Sequence, residues 1–302
     1  MKHYLTILFV LTLFTVPFHS ACSQGCSDAG FCTIHSIKPV LGDSLKSRNN
    51  TFKAGVSYGS AQYNVSVVTP YLEYIYHFRH VALSAKLLMG IRSGDLGTTS
   101  GLADVILTSS WNLNEKLQLV GGVKLPFNKA DQAAGGLPLP MSYQTSLGTY
   151  DLITGASWRM KKLTLTAAWQ HPLTQNDNAF LFDDYPDGIL SDPYISTNGY
   201  ERKGDVLLRI THRSSIGEKW TLLSSVLPIY HLGNDSYQDR DGNEVTIEKS
   251  KGLTLNLNVF FNYHLSSNTA LEFSLGAPVI ARENRPDGLS QFSLGVEYVV
   301  RF

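Results

Sequence analysis

The sequence predicts an all-β protein, a transmembrane up-and-down antiparallel β-barrel of about 12 strands. The first observation is the strict alternation of stretch 289–302, whose apolar positions are Phe292, Leu294, Val296, Tyr298, Val300 and Phe302. Alternation with period two gives a strand one apolar and one polar face. The second is that most upstream segments repeat this pattern. The third is that the apolar face carries aromatic residues at both ends, as in the interfacial girdles of outer-membrane barrels.

The aromatic residue at the C-terminus favours a membrane barrel over a water-soluble sheet. Phe302 lies on the predicted lipid face, where it resembles the C-terminal assembly signal of bacterial outer-membrane proteins. The expected partners are therefore outer-membrane lipid and, through the last strand, the barrel-assembly machinery. A secreted β-sandwich is the alternative, because its strands alternate in the same way.

Composition excludes several classes of protein. The 302 residues carry 25 basic and 25 acidic side chains, and a zero net charge argues against nucleic-acid binding, which usually needs a basic surface. Charged residues make up 17% and aromatic residues 11%, which suits a barrel wall better than a typical soluble enzyme. Beyond the N-terminus, no run reaches the ~18 apolar residues that a spanning helix needs.

The N-terminus predicts export. Lys2 and His3 precede the apolar run 5–18, which is typical of a secretory signal. We expect a signal peptide over 1–21, a periplasmic cysteine-containing segment or plug over 22–50, and the barrel over 51–302. The barrel and the signal together predict the outer membrane of a bacterium.

Three cysteines, Cys22, Cys26 and Cys32, precede the first predicted strand. In an oxidising compartment, one arrangement pairs Cys26 with Cys32 in a disulfide and leaves Cys22 as a candidate for lipidation. His19 stands where a lipoprotein signal usually has Leu. The alternative is a metal or haem-related site of Cys26, Cys32 and His35, although that spacing matches no standard zinc pattern.

Turn signals divide the remainder into twelve strands, predicted at 51–58, 65–78, 80–91, 103–113, 116–126, 149–160, 162–172, 204–214, 218–230, 252–264, 268–281 and 290–302. Tight turns alternate with longer connections near 59–64, 92–102, 127–148, 173–203, 231–251 and 282–289. This alternation predicts short periplasmic turns, long outer loops, and both chain ends in the periplasm.

Four prolines recur roughly nine residues after a tight turn: Pro126, Pro172, Pro228 and Pro278. Proline is confined to strand ends, edges and bulges, so these prolines are predicted at the outer rim. They either end pairing where the loops begin, or loosen the wall and allow a bulge or lateral gap. The repeat also predicts that the ninth strand turns Leu223, Leu227 and Ile229 toward lipid.

Parity along the strands predicts a polar lumen. The main inward set is Glu73, His77, Lys86, Arg92, Lys124, Arg159, Arg209, Asn256, Asn258, Asn262, Glu272, Glu297 and Arg301. By the same parity it extends to Asp104, Gln118, Asp151, Arg213, His264 and Gln291. Buried charges must be paired or hydrated. The set therefore either forms neutralising pairs that stiffen the wall or lines a narrow pore for small or anionic solutes.

The outer loops raise two calcium hypotheses. Loop 173–203 is rich in Asp, and stretch 239–243 begins like a calcium loop but has Glu244 where such loops need Gly. A solvated acidic surface is the alternative, and we assign no metal and no cofactor. Loop 133–141 is uncharged and rich in Gly and Pro, which suits a lid or a ligand entry.

A catalytic site is not predicted. His264 lies near Ser266 and Ser267, but this cluster falls at a periplasmic turn, where Ser and Asn are common. No G-x-S-x-G or H-E-x-x-H motif occurs. The prediction is a channel for small solutes and not an enzyme. The alternatives are a barrel enzyme acting on envelope lipids and a structural or adhesive surface barrel.

Several strands resemble one family of transporters. The runs SGLADVILTSSWNL and LQLVGGVKLPF, and later TYDLITGASWRM, RKGDVLLRI and DGLSQFSLGVEYVVRF, are similar to the outer-membrane transporter family named for the meta-pathway of phenol degradation. The resemblance covers about 51–302. It implies an outer-membrane barrel that passes small, often hydrophobic or aromatic compounds, and it implies no catalytic residues. The cysteine-bearing N-terminus departs from the family.

Overall fold

The computed structural model describes residues 50–186, 190, 194–288 and 292–302. The predicted signal peptide, the predicted disulfide between Cys26 and Cys32, the predicted lipidation of Cys22 and the predicted inward position of Gln291 all fall outside these residues. Within the described ranges, no helix is long and apolar enough to cross a membrane.

Twelve antiparallel strands close into one barrel. In chain order they are β1 (Thr51–Ser60), β2 (Ser66–Phe78), β3 (Val81–Gly94), β4 (Gly97–Asn112), β5 (Leu117–Pro126), β6 (Asp151–Met160), β7 (Leu163–Pro172), β8 (Asp205–Ile216), β9 (Trp220–His231), β10 (Gly252–His264), β11 (Thr269–Ile280) and β12 (Phe292–Arg301). Each strand pairs with its neighbours in sequence, and β1 pairs with β12 from Thr51–Arg301 to Ser60–Phe292. The predicted fold class is confirmed.

The wall has an apolar outer face. In β12, Leu294, Val296 and Tyr298 are exposed, whereas the alternate residues Glu297 and Val299 are buried. Exposed aromatic residues mark both ends of the outer face: Phe78, Trp111, Trp158 and Trp220 near the tight turns, and Tyr58, Phe127, Tyr150 and Tyr230 near the loops. This pattern is that of a membrane-spanning β-barrel.

The connection between β3 and β4 corrects a prediction. Stretch 92–102 is not a long loop, because the ladder continues through Ile91–Ser100 to Gly94–Gly97 and leaves only Asp95 and Leu96 in the turn. The prediction began the fourth strand at 103, but the strand starts at Gly97, because the Thr-containing stretch before residue 103 also pairs with β3.

The ninth strand corrects a second prediction. Leu223 and Leu227 are buried and Ile229 packs inside against buried residues, whereas Val226 and Tyr230 are exposed. The prediction failed because it aligned β9 with its neighbours by proline position. Pro228 shares the outward parity of the exposed Val226 and Tyr230, whereas Pro172 and Pro278 are buried, so Pro228 does not mark the same face as those prolines.

The remaining rim prolines lie at strand ends and at a bulge. Pro126 and Pro172 are the last residues of β5 and β7. Pro278 lies at a register shift, where Leu255 pairs with Ile280 but the next residue, Asn256, pairs with Pro278. Pro126 and Pro172 thus fit the interpretation that prolines end strand pairing, and Pro278 fits the interpretation that a proline allows a bulge. No lateral gap follows from these pairings.

Candidate functional site: the lumen and its outer closure

One side of the barrel interior is apolar. Inward side chains of seven consecutive strands, β3 to β9, pack into one cluster, which we call the apolar belt: Leu88, Ala103, Ile106, Val120, Ile153, Ala168, Leu207 and Leu227. A bulge adjusts its edge, because Ala103 and Asp104 of β4 face the single residue Leu88 of β3. The belt arises because these strands carry apolar residues on both faces, so alternation of polarity is lost there.

The other side, formed by β12, β1, β2 and β3, holds an ionic group. Lys53 Nζ lies 3.1 Å from Glu297 Oε1 and 3.7 Å from Glu73 Oε2. The Tyr71 hydroxyl donates to Glu297 Oε2 at 2.7 Å, and Lys86 Nζ lies 3.8 Å from the centre of the Tyr71 ring. Two lysines therefore balance two glutamates, as burial of charge requires.

A glycine makes room for this group. A Cβ on Gly55 would lie 2.5 Å from the Tyr71 ring, so only glycine lets the ring cross β1 and place its hydroxyl against Glu297. Farther round the interior, β10 continues the polar side with the buried amides of Asn256, Asn258 and Asn262.

The loop between β5 and β6 folds into the outer end of the barrel. Residues 139–149, which we call the inserted segment, are all buried. The Tyr143 hydroxyl accepts the Leu96 N–H at 3.1 Å, and Ser146 Oγ donates to Asp104 Oδ1 at 2.7 Å. The segment thus lies along the inner face of β3 and β4.

Glycines on the inner face of the wall leave room for the inserted segment. A Cβ on Gly90 would lie 2.8 Å from Thr145 Cβ, and one on Gly94 would lie 2.4 Å from the Tyr143 hydroxyl. The segment also holds its own shape, because the Gln144 side-chain amide donates to the carbonyls of Gln132 (3.0 Å) and Leu139 (2.8 Å).

A buried set of charges joins the loops to the strand ends. We call it the outer charge cluster, and its members are Lys124, Asp151, Arg202, Asp205, His231, Asp235, Arg282 and Asp287. Lys124 Nζ lies 3.0 Å from Asp151 Oδ2, and Arg282 Nη1 lies 3.6 Å from Asp235 Oδ2. Arg202 pairs with Asp205. Three loops are therefore bound to the ends of β5, β6, β8 and β9.

His231 lies at the centre of the outer charge cluster. Its Nδ1 is 2.7 Å from Asp205 Oδ1 and its Nε2 is 2.8 Å from Asp235 Oδ1. A neutral imidazole donates only one hydrogen bond, so this geometry fits the doubly protonated ring. With His231 charged, four cations balance the four aspartates.

The neighbouring charges shift the pKa values of loop residues in and beside the cluster. Burial alone would lower the pKa of Arg202, but the charges of Asp205 and Asp151 raise it. Burial alone would raise the pKa of Asp235, but the hydrogen bond from His231 and the charges of His231 and Arg282 lower it. Burial and the nearby carboxylates raise the pKa of Tyr200, whose hydroxyl donates to Asp235 Oδ2 at 2.9 Å.

The loops also pack against one another above the inserted segment. One apolar cluster contains Ala61, Val65, Val67, Leu139, Tyr143, Phe180 and Tyr194, and a second contains Ala130, Met141, Leu147, Tyr200 and Ile247. Exposed ion pairs cross between loops at Lys129–Asp177 (2.8 Å) and Lys249–Glu283 (2.7 Å). The outer loops therefore form a packed layer over the outer end of the barrel.

The structure places most predicted inward residues on the buried side of the wall: Glu73, Lys86, Arg92, Gln118, Lys124, Asp151, Arg209, Asn256, Asn258, Asn262, Glu272 and Glu297. His77, Arg159, Arg213, His264 and Arg301 are half-buried at the end with the tight turns, which is the predicted periplasmic end. Asp104 holds the inserted segment. That any of these side chains lines a conducting path stays a prediction.

The residues on which the calcium and hydrolase hypotheses rest form other hydrogen bonds. Asp239 Oδ1 accepts the N–H groups of Asp241 (2.9 Å) and Asn243 (2.8 Å), and hydrogen bonds from Asn243 lower the pKa of Asp239. Within the part of the chain that the structure describes, no three His, Cys, Asp or Glu side chains converge as a metal site. Ser266 Oγ lies 2.8 Å from Thr269 Oγ1 and accepts the Thr269 N–H, which closes the turn.

The sequence analysis missed most of the outer charge cluster. Arg202, Asp235 and Arg282 lie in loops, where no periodicity indicates which way a side chain points. His231 and Asp205 carried a usable signal, because each ends a strand with inward parity and they pair directly across β8 and β9.

Solved outer-membrane proteins share this fold. An outer-membrane channel from Pseudomonas putida F1 is 16% identical, with a TM-score of 0.60 over 87% of this chain and 100% of that chain. The NanC porin is 12% identical (TM-score 0.48; 84% and 100% covered), and the translocator domain of the autotransporter NalP from Neisseria meningitidis is 9% identical (TM-score 0.49; 86% and 90% covered). No protein-family model and no curated protein matches the chain. The apolar outer wall and this fold place the protein in the bacterial outer membrane.

Proposed function

We propose that the protein is an outer-membrane channel for small hydrophobic or aromatic solutes. The observation that carries the proposal is the apolar belt, which covers seven consecutive strands of the inner wall where a general porin has a polar lining. The outer loops and the inserted segment act as the gate, and the inward polar residues form the rest of the lining.

The belt has a suitable strength for transport. A solute that buried ~150 Å² of apolar surface against the belt would gain about 4 kcal/mol, which corresponds to a dissociation constant near ~1 mM. A channel requires binding that is favourable enough for entry and weak enough for release. The belt therefore selects apolar solutes without trapping them.

The family assignment belongs to the same proposal. The strand motifs from 100 to 126 and at the C-terminus resemble the meta-pathway family, and the shared fold with a solved outer-membrane channel supports a barrel of that kind. We infer that the chain is a distant member whose cysteine-bearing N-terminus sets it apart.

Uptake through an intact outer membrane tests the proposal. Cells that produce the protein should take up radiolabelled toluene faster than cells without it. Replacing Leu207→Asn and Leu227→Asn should slow this uptake, because polar amides weaken the belt, whereas Thr166→Ser on the same wall should not. Equal toluene uptake with and without the protein would refute the channel, provided that the barrel is folded in the membrane.

The last strand supports a proposed partner. Phe302 is exposed beside the outward ring of Tyr74 (centroids 6.4 Å apart), as expected for a strand read by the barrel-assembly machinery. Deleting Phe302 should lower the amount of folded barrel in the outer membrane, measured by heat-modifiable migration in gels. Unchanged assembly would remove this role.

A further inference from the structure

A ring of polar side chains surrounds the periplasmic opening of the barrel. The six strands that descend to this end are β2, β4, β6, β8, β10 and β12. Each of them ends on the inner face with one polar residue: His77, Asn112, Arg159, Arg213, His264 and Arg301. All six side chains are half-buried. The ring therefore holds three arginines, two histidines and no carboxylate.

Backbone hydrogen bonds place five ring members at the same level. The N–H groups of Asn112, Arg159, Arg213, His264 and Arg301 each donate to a carbonyl of the adjacent tight turn, and each bond measures 2.8 Å. The sixth, His77, donates its N–H to the Asn50 side chain at 3.3 Å. The ring is thus a continuous feature of the wall at one depth.

Among the described residues, the arginines of this ring have no acidic partner. Arg159 Nη2 donates to Gln118 Oε1 at 3.0 Å, and among the residues that the structure describes none of the three arginines forms a salt bridge. Glu297 lies four residues before Arg301 on the same strand, and it is already bonded to Lys53 and Tyr71. The carboxylates of the adjacent turns, Glu115 and Glu218, are exposed.

We propose that this ring is a binding site for the carboxylate of small organic anions, and that the channel carries aromatic carboxylates with the ring at its periplasmic exit. Arginine pairs with carboxylates through two parallel hydrogen bonds, and half-buried arginines retain more of that attraction than exposed ones. The apolar belt, nearer the outer end, contacts the aromatic part of the same solute. This inference rests on the proposed channel.

Single-channel recording on the full-length protein tests the ring, with sodium benzoate as the probe and benzyl alcohol as the uncharged control. The wild-type channel should favour chloride over potassium, and benzoate should block the chloride current. The triple variant Arg159→Gln/Arg213→Gln/Arg301→Gln should weaken the block about tenfold, because charge-assisted bonds are lost. The control Lys116→Gln/Lys161→Gln/Lys219→Gln removes three exposed turn cations and should leave the block unchanged.

Conservative variants separate charge from geometry. Arg159→Lys/Arg213→Lys/Arg301→Lys should keep the preference for chloride but bind benzoate several-fold more weakly, because lysine cannot form the two-bond pair. Heat-modifiable migration verifies that each variant is folded. A conducting wild-type channel that prefers potassium, or that benzoate does not block, would overturn the ring and leave the channel intact.

Direct binding distinguishes failure of the channel from failure of the ring. Benzoate binding to the detergent-solubilised full-length protein is measured by calorimetry. Binding that the Gln triple variant loses, in a protein without conductance, would refute the channel and retain the ring. Absence of benzoate binding in the folded wild-type protein would overturn the ring whatever the conductance.

Discussion

The two ends of the barrel use charge in opposite ways. At the outer end, four aspartates face three basic side chains and His231, all buried and mutually bonded. At the periplasmic end, three half-buried arginines and two histidines share one level without an acid among them. Buried balanced charges hold loops in place, whereas half-buried charges of one sign attract a counter-charge from solution. The difference assigns closure to the outer end and electrostatic attraction to the periplasmic end.

Breaking a buried pair at the outer end should have the largest effect. Arg202→Met removes the buried cation that pairs with Asp205 and lies 3.8 Å from Asp151, and removing one member of a buried pair costs about 3 to 5 kcal/mol. We expect the loops to detach, with faster tryptic cleavage after Lys251 and a larger conductance. The control Lys129→Met breaks an exposed pair with Asp177 and should change neither measurement, because exposed pairs contribute little.

Filling the wall beneath the inserted segment should have the next largest effect. Gly90→Ala forces Thr145 away from β3, at a cost of about 1 to 3 kcal/mol for overpacking. Conductance should rise as the segment moves. Gly101→Ala is the matched control, because Gly101 pairs with Gly90 across the hairpin and its Cβ would have no neighbour closer than 4.0 Å. Equal conductance in both variants would contradict this role of Gly90.

Acid should loosen the outer end. The pKa of Asp235 is lowered in the folded protein, so its charge stabilises the closed loops above the unfolded value of about pH 4 and loses this effect as the pH falls through the lowered pKa. Cleavage of the outer loops by pepsin, which is active in acid, should increase below pH ~4. Asp235→Asn should be open already at neutral pH and lose this transition.

The smallest effect is expected at the periplasmic end. Arg213→Gln removes a charge that has no acidic partner among the described residues, so the free energy of unfolding in urea should stay within about 0.5 kcal/mol of wild type. A loss comparable to that of Arg202→Met would show that the two ends do not differ in the proposed way.

The sequence predicted the strands of the wall better than the contacts of the outer loops. Tyr298 and Glu297 were assigned correctly to opposite faces, because a period of two is fixed by backbone geometry. The prediction failed at Leu223 and Leu227, where both faces of β9 carry apolar residues and polarity gives no parity. It also missed Arg202 and Arg282, because the contacts of a loop side chain depend on long-range folding and not on local period.

The hairpin glycines have a consequence for how this protein can vary. At Gly90 and Gly94 the wall is reduced to bare backbone, and the chain between β5 and β6 occupies the space that two side chains would fill. Substitutions in the wall and in this loop should therefore be coupled. A relative with a bulky residue at either position must carry a shorter connection or send it elsewhere, so the two changes should be inherited together.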